Sequence, residues 1–179
     1  QEYDYTDENG VDQTSTYDGK AGLQLGFFDR LILGMTKGDI NLAFSGEITK
    51  ESKILINRDV ISRAKKALPY LIYDENPYTV VTEEGKIVWV IDAYTVSSQY
   101  PYSQYTTIHD GVKENINYIR NSVKVIVDSY DGTMSYYITD RTDPIAMAYR
   151  NVYDTLFVDL NTQIPQDISS NFVYPEFLY

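Results

Sequence analysis

The chain has no cysteine, one histidine and one tryptophan in 179 residues. Without cysteine there is no disulfide framework, no thiolate metal site and no cysteine nucleophile. A lone histidine leaves little material for a histidine-rich metal centre. Basic residues are also scarce: 15 Lys and Arg stand against 26 Asp and Glu, a net charge of −11. That balance opposes binding to nucleic acid or to an anionic membrane surface through bulk electrostatics. No apolar run approaches the roughly 18 residues of a membrane span. Nor is there a Gly-Lys-Ser/Thr phosphate loop: Tyr17-Asp18-Gly19-Lys20-Ala21-Gly22 is only a glycine-bearing turn.

Tyrosine is abundant, 18 residues against 6 phenylalanines. Tyrosine buries a large ring and keeps a polar handle, so an excess suits wet interfaces and partner-binding faces.

Two stretches organise the chain. Tyr78 to Tyr94, YTVVTEEGKIVWVIDAY, reads as a β-hairpin turning at Glu84-Gly85. A two-residue turn there sets Val80 opposite Trp89 and Glu83 opposite Lys86. Its second strand is apolar on both faces, so it belongs in the middle of a sheet with a layer on either side. Val123 to Thr139 is a second hairpin, turning at Asp131-Gly132. That turn pairs Val127 with Tyr136 and Val125 with Ile138. One face then carries Val123, Val125, Val127, Tyr136 and Ile138. The other, with Lys124, Ile126, Asp128, Ser135 and Tyr137, is mixed and expected nearer water. Ile91-Asp92-Ala93-Tyr94-Thr95 and Val127-Asp128-Ser129-Tyr130-Asp131 share a phrase, which is either a short duplication or one strand-end solution used twice.

Around the hairpins, residues 1–16 read as a flexible acidic arm and 17–179 as one α+β domain, a mainly antiparallel sheet built from two β-hairpins with helices packed against it. The spacing of Leu23, Phe27 and Leu31 predicts a helix from Leu23 to Met35. Gly38-Asp39 breaks it, and Asp39 can cap a short helix over Ile40 to Phe44. Lys50 to Asn57 reads as extended. Asp59 caps a helix through Leu68, stopped by Pro69. Val96 to Asn117 reads as an irregular loop with Tyr100, Tyr102, Tyr105 and the single histidine, His109. Asp143-Pro144 opens a helix whose apolar face holds Ile145, Tyr149, Val152, Tyr153 and Leu156. A short helix follows near Pro165 to Ser170. The aromatics Phe172, Tyr174, Phe177 and Tyr179 of the tail need covering.

Three sets of residues are candidates for chemistry. Asp92 and Asp128, near the ends of paired strands, would form an acid/base pair if the hairpins are neighbours, and His109 beside Asp110 has the form of a base oriented by a carboxylate. Tyr94, Tyr100, Tyr102 and Tyr105 form a candidate binding surface. Asp7, Asn9 and Asp12 resemble part of a calcium loop, but Tyr5 and Thr16 stand where that pattern needs acids. No cofactor is implied.

The phrases YDGKAGLQLGFFDRLILGMTKGDINLAFSGEIT, SKILINRD, PYTVVTEEGKIVWVIDAYTVSSQYPYS, NYIRNSVKVIVDSYDGT and IPQDISSNFVYPEFLY resemble uncharacterised protein family 0182, from Tyr17 to Tyr179. The resemblance implies bacterial multi-pass membrane proteins with a block of spans followed by a large extracytoplasmic region. It also implies that this chain, which opens on Gln1 without a leader, is a piece of that region. It carries no activity or catalytic residues. The acidic tail of many members has no counterpart here.

The expectation is a non-catalytic extracytoplasmic binding or assembly module. Its partners are other domains of the parent membrane protein, or a cell-envelope component. Alternatives are an envelope-acting hydrolase using Asp92, Asp128 or His109, and a calcium-stabilised structural domain.

Overall fold

The computed structural model describes residues 2–15, 17–19, 21–24, 26–38, 52–108 and 113–175. The chain divides into two compact units, Gln1–Ile56 and Asn57–Tyr179.

The first unit corrects the expected acidic arm. β1 (Glu2–Thr6) and β2 (Asp12–Ser15) form an antiparallel hairpin. Its turn closes because the Asp7 carboxylate accepts from the Asn9 and Val11 amides, each at 2.9 Å, and Gly10 supplies a φ of 77°. β3 (Leu23–Gln24) pairs with β4 (Lys53–Ile54), and α1 (Phe27–Lys37) lies between them in sequence. The helix starts four residues later than its apolar spacing suggested. Gly26 is its N-cap and the Asp29 carboxylate reaches back to the Gly26 amide at 3.1 Å, so the capping group sets the start rather than Leu23. Gly38 closes it in the left-handed conformation. Asp39 and the helix expected over Ile40 to Phe44 lie outside the described residues.

The second unit is built on one five-stranded antiparallel sheet. α2 (Val60–Ala67) is capped by Asp59, whose carboxylate accepts from the Ser62 amide at 2.6 Å. β5 (Ile72–Tyr73) and β6 (Tyr78–Val81) both pair with one side of β7 (Ile87–Ser97). A small hairpin, β8 (Thr106–Ile108) with β9 (Lys113–Ile116), replaces part of the loop expected over Val96 to Asn117. β10 (Tyr118–Asp128) pairs with the other side of β7, and β11 (Met134–Ile138) with β10. α3 (Pro144–Val152) opens on Asp143-Pro144, and α4 (Gln166–Ser169) is a single short turn after Pro165.

Both hairpin turns are longer than expected. In the first, Thr82 faces Lys86 across a loop of Glu83, Glu84 and Gly85, and Val80 pairs with Val88. A two-residue type I′ turn needs positive φ at both central residues, and Glu84 would be strained there. The longer loop asks it only of Gly85, at 78°. The register moves by one, and Lys86 meets Glu84 at 2.8 Å rather than Glu83. In the second, Asp128 faces Thr133 and the pairs are Val127 with Met134 and Val125 with Tyr136. That register differs by two from the expected one. Because side chains alternate with period two, the set of residues on each face survives the slip.

Both faces of the sheet are covered. One carries Ile91, Ala93, Val123, Val125, Val127 and Tyr136 against Ala64 and Leu68 of the α2 segment, Ala146 of α3 and Phe157. Each fully buried aliphatic side chain of this kind contributes about 1.5–3 kcal/mol. The opposite face carries Val80, Val88, Val90 and Ile126, with Ile164, Ile168 and Phe172 packed on it. The face of β10 expected nearer water is therefore buried, with Lys124 at 6% and Ile126 at 8% exposure. In α3, Ala146 turns inward, whereas Val152 is exposed and leaves the expected apolar face.

Candidate functional site

The central strands bring charge into that second buried layer. Asp92 of β7 and Lys124 of β10 are direct cross-strand partners, and both are more than nine-tenths buried. The Lys124 ammonium pairs with Asp92 Oδ1. Between Arg120 and Val123 the register shifts, so that Asn121 and Ser122 stand where one residue would. The Asn121 amide donates to the same Asp92 oxygen at 2.6 Å. Phe172 lies with its ring 4.9 Å from the Lys124 ammonium. Two residues along β7, the Tyr94 hydroxyl donates to Asp74 at 2.8 Å. Burial pushes the Tyr94 phenol far above its ordinary value, and the bond to Asp74 and the charges of Asp74 and Asp92 add to it.

The cluster is an ion pair locked by hydrogen bonds under an aromatic ring. It does not supply an acid/base couple. Asp128 shares the face of Asp92 but sits opposite Val88, four residues further along β10. At about 3.3 Å per residue the two carboxylates are roughly 13 Å apart along the strands, beyond the ~5–9.5 Å of a glycosidase pair. Asp128 is moreover occupied with the turn, accepting from the Tyr130 amide at 2.7 Å and the Asp131 amide at 3.1 Å. The phrase shared by the two hairpins thus has two uses: interior cluster in one, turn cap in the other. His109 and Asp110 lie outside the described residues.

The four tyrosines also part company. Tyr94 is fully buried, while Tyr100, Tyr102 and Tyr105 are exposed. Asn117, itself buried, clamps the base of their loop: it accepts from the Tyr100 amide at 3.0 Å and donates to the Tyr100 carbonyl at 2.7 Å. The Tyr100 ring lies 5.1 Å from that of Tyr118. Tyr102 projects completely into solvent with a φ of 60°, a strained conformation for a tyrosine.

In the first unit, Asp7 spends its oxygens on the turn amides and on Gln13 at 3.2 Å, and Asp12 accepts from Thr6 at 2.8 Å. The Val11 amide, ahead of the other bonds, holds the Asp7 carboxyl below its ordinary value. No group of three or more His, Cys, Asp or Glu side chains poised for a metal occurs among the described residues.

Two features escaped the sequence reading. Asp143 is fully buried and is the hub of the end of the sheet. It caps α3 through the Ile145 amide at 2.9 Å and accepts from the hydroxyls of Thr95 and Tyr118, the latter at 2.9 Å. Burial raises its pKa, but the hydroxyls and the amide around it outweigh that and hold it below the usual carboxylate value. The Tyr118 phenol is pushed up to about 12 by burial and by the bond to Asp143. The second is the exposure of the apolar side of α1, a face that the spacing of Leu23, Phe27 and Leu31 with Phe28, Ile32 and Met35 predicts. Phe28, Ile32 and Met35, spaced by four and three, are 75, 63 and 73% exposed, and Phe27 adjoins them. Beside them a groove of about 150 Å³ runs between α1 and the β3–β4 pair, lined by Leu33, Ile54 and Ile56 among others.

The whole chain, residues 1–179, matches the family described as Uncharacterised protein family (UPF0182). It is 47% identical over 178 residues to a UPF0182 protein of Clostridium acetobutylicum, covering 99% of this chain and 18% of that relative. It is 44% identical to one of Clostridium kluyveri and 42% identical to one of Clostridium tetani, covering 19% of each. The chain therefore spans about a fifth of the length of the curated relatives it matches. No solved structure matches it. The chain belongs to the uncharacterised protein family UPF0182.

Proposed function

We propose that this chain is a non-catalytic assembly module that docks against another part of a much longer polypeptide. The carrying observation is the open apolar side of α1, with Phe28, Ile32 and Met35 in solvent. A contiguous apolar face of this kind marks an interaction site. The occupant we assign to it is an apolar surface elsewhere in the same protein, since relatives are about five times the length of this chain. The clamped Tyr100–Tyr105 loop is a second contact point: tyrosines, serines and glutamines on a fixed base make an uncharged, adaptable surface.

An extracytoplasmic position in a multi-pass membrane protein is part of the same reading. Its support is the family resemblance. No helix among the described residues is long and apolar enough to cross a membrane. An envelope hydrolase draws no support from the Asp92–Asp128 geometry.

This chain has no cysteine, so in the isolated chain an introduced thiol is the only one, and in the full-length protein labelling is read against the parent without the substitution. Phe28→Cys and Tyr102→Cys are placed in the isolated chain and in the full-length protein, and maleimide labelling is timed. Docking slows labelling at position 28 at least tenfold in the full-length protein. Equal rates in both contexts refute the docking. A membrane-impermeant maleimide on intact cells then reads the side of the membrane through position 102, and protection there until the cells are broken refutes the extracytoplasmic placement.

A further inference from the structure

A second surface, independent of α1, lies at the outer edge of β11, which residues 156–158 cover only at Tyr136. The register of β10 and β11 decides which backbone groups face it. Tyr136 sends both of its backbone groups outward, to the Leu156 carbonyl at 3.3 Å and the Val158 amide at 2.9 Å. Thr139 points inward, its amide donating to the Ser122 carbonyl at 2.9 Å. Antiparallel alternation then turns the N–H and C=O of Ile138 outward. Beyond Val158 the chain leaves the edge, and a groove of about 310 Å³ opens there. Ile138 lines it, with Tyr137, Arg141, Asp159 and Gln163. The volume is that of a small-molecule site.

The chemistry of the lining selects the ligand class. Donors and acceptors are mixed: the amide of Ile138 with its carbonyl, the two ends of the Gln163 amide, the Arg141 fork and the Asp159 carboxylate. Arg141 is anchored by donating to the Leu160 carbonyl, and Asp159 by accepting from the Asn161 amide at 2.8 Å. The lining holds one cation and one anion, Arg141 and Asp159, and Arg150 lies 3.9 Å from Asp159 outside the lining, so sulfate is the control that reads any preference for an anion. The half-buried Tyr137 adds an aromatic ring. A strand-adding peptide does not fit, because Leu156 to Val158 already occupies Tyr136 and leaves only Ile138 to pair. Mixed donors and acceptors beside a ring are the complement of a polyhydroxylated ligand. We propose that this groove binds one or two units of an uncharged saccharide.

The test is a ¹H–¹⁵N NMR titration of the labelled chain with chitotriose and with maltotriose, and with sulfate and acetyl-trialanine amide as controls. At least one saccharide gives saturable shifts at the Ile138 amide and the Gln163 side-chain amide. Gln163 is exposed, so Gln163→Ala and Gln163→Trp keep the melting temperature of the parent. The first weakens binding about tenfold, as loss of a well-formed hydrogen bond does. The second fills the groove and abolishes binding. The proposal is overturned if neither saccharide shifts these amides, if Gln163→Trp binds as well as the parent, or if only sulfate or the peptide produces the shifts.

Discussion

Replacing Lys124 by methionine is the sharpest test of the central cluster. The substitution keeps the length of the side chain and removes its charge. It leaves the Asp92 carboxylate, with a side chain only 6% exposed, facing an apolar neighbour and a single amide donor, Asn121. Removing one partner of a buried ion pair costs about 3–5 kcal/mol, because the other charge stays desolvated. For a unit of this size each kcal/mol lowers the melting temperature by roughly 3–6 °C, so a fall of about 10–30 °C is expected. Urea unfolding is the second assay, followed through the single tryptophan, Trp89, which packs against the core of the same sheet. The double variant Asp92→Leu with Lys124→Met completes a cycle. Replacing both charges by apolar groups is near neutral or stabilising, so the double variant should unfold close to the parent. The reasoning fails in two ways. If Lys124→Met costs under about 1 kcal/mol, the pair behaves like a surface bridge and is not desolvated. If the double variant is as unstable as the single, the loss comes from packing under Phe172 and not from an orphaned charge.

Other outcomes follow from single positions. Asp143→Ala removes a helix cap and orphans the hydroxyls of Thr95 and Tyr118, a loss of about 2–4 kcal/mol by chemical denaturation. Because the folded Asp143 carboxyl titrates below 3.8, its contribution is full above that value and is lost as pH falls through the lower folded value. Acid unfolding of the parent but not of Asp143→Asn should show this term. At the alkaline end the sign reverses: Tyr118 titrates near 12 in the fold and near 10 when unfolded, so its contribution is intact below pH 10 and lost above it. Ultraviolet titration should therefore show a late, unfolding-linked tyrosine that Tyr118→Phe removes. Gly85→Ala meets nothing within 4 Å and costs only the left-handed backbone, about 1–2 kcal/mol in a melt. Tyr102→Asn relieves the same strain at a fully exposed site and should stabilise by about 0.5–1 kcal/mol.

Much of the second unit was legible because its signals are local. Asp59 and Asp143 capped the helices they were expected to cap, and the doubly apolar Ile87 to Ile91 run lies in mid-sheet. Turn length was not legible, since it depends on which residue can take positive φ. Glu84 could not, and one pairing register moved by a residue. The buried side of β10 was misread because its cover, Ile164 to Phe172, lies some forty residues away in sequence. A signal was present in VKVIV: a lysine within a β-branched run on a long strand implies a buried partner. Naming Asp92 as that partner required the pairing of β7 with β10, which neither hairpin specifies by itself.

The tyrosine excess illustrates how composition and site diverge. Read as composition, it points to an interface. In the fold, the Tyr73 hydroxyl donates to the Leu68 carbonyl at 2.7 Å and the Tyr136 hydroxyl to the Ala64 carbonyl at 3.2 Å. Both carbonyls belong to the C-terminal end of α2: that of Leu68 lies past the last turn, where intrahelical donors run out, and that of Ala64 accepts from the Leu68 amide at 3.0 Å as well. Phenylalanine would fill the same volume and take the hydroxyl donor from the Leu68 carbonyl, and would leave the Ala64 carbonyl with the Leu68 amide alone. Tyr94 and Tyr118 do the equivalent for the buried carboxylates Asp74 and Asp143. The hydroxyls are therefore what lets this sheet bury helix ends and acids together. Among the exposed tyrosines, the strained Tyr102 is the one whose exposure the fold itself does not explain.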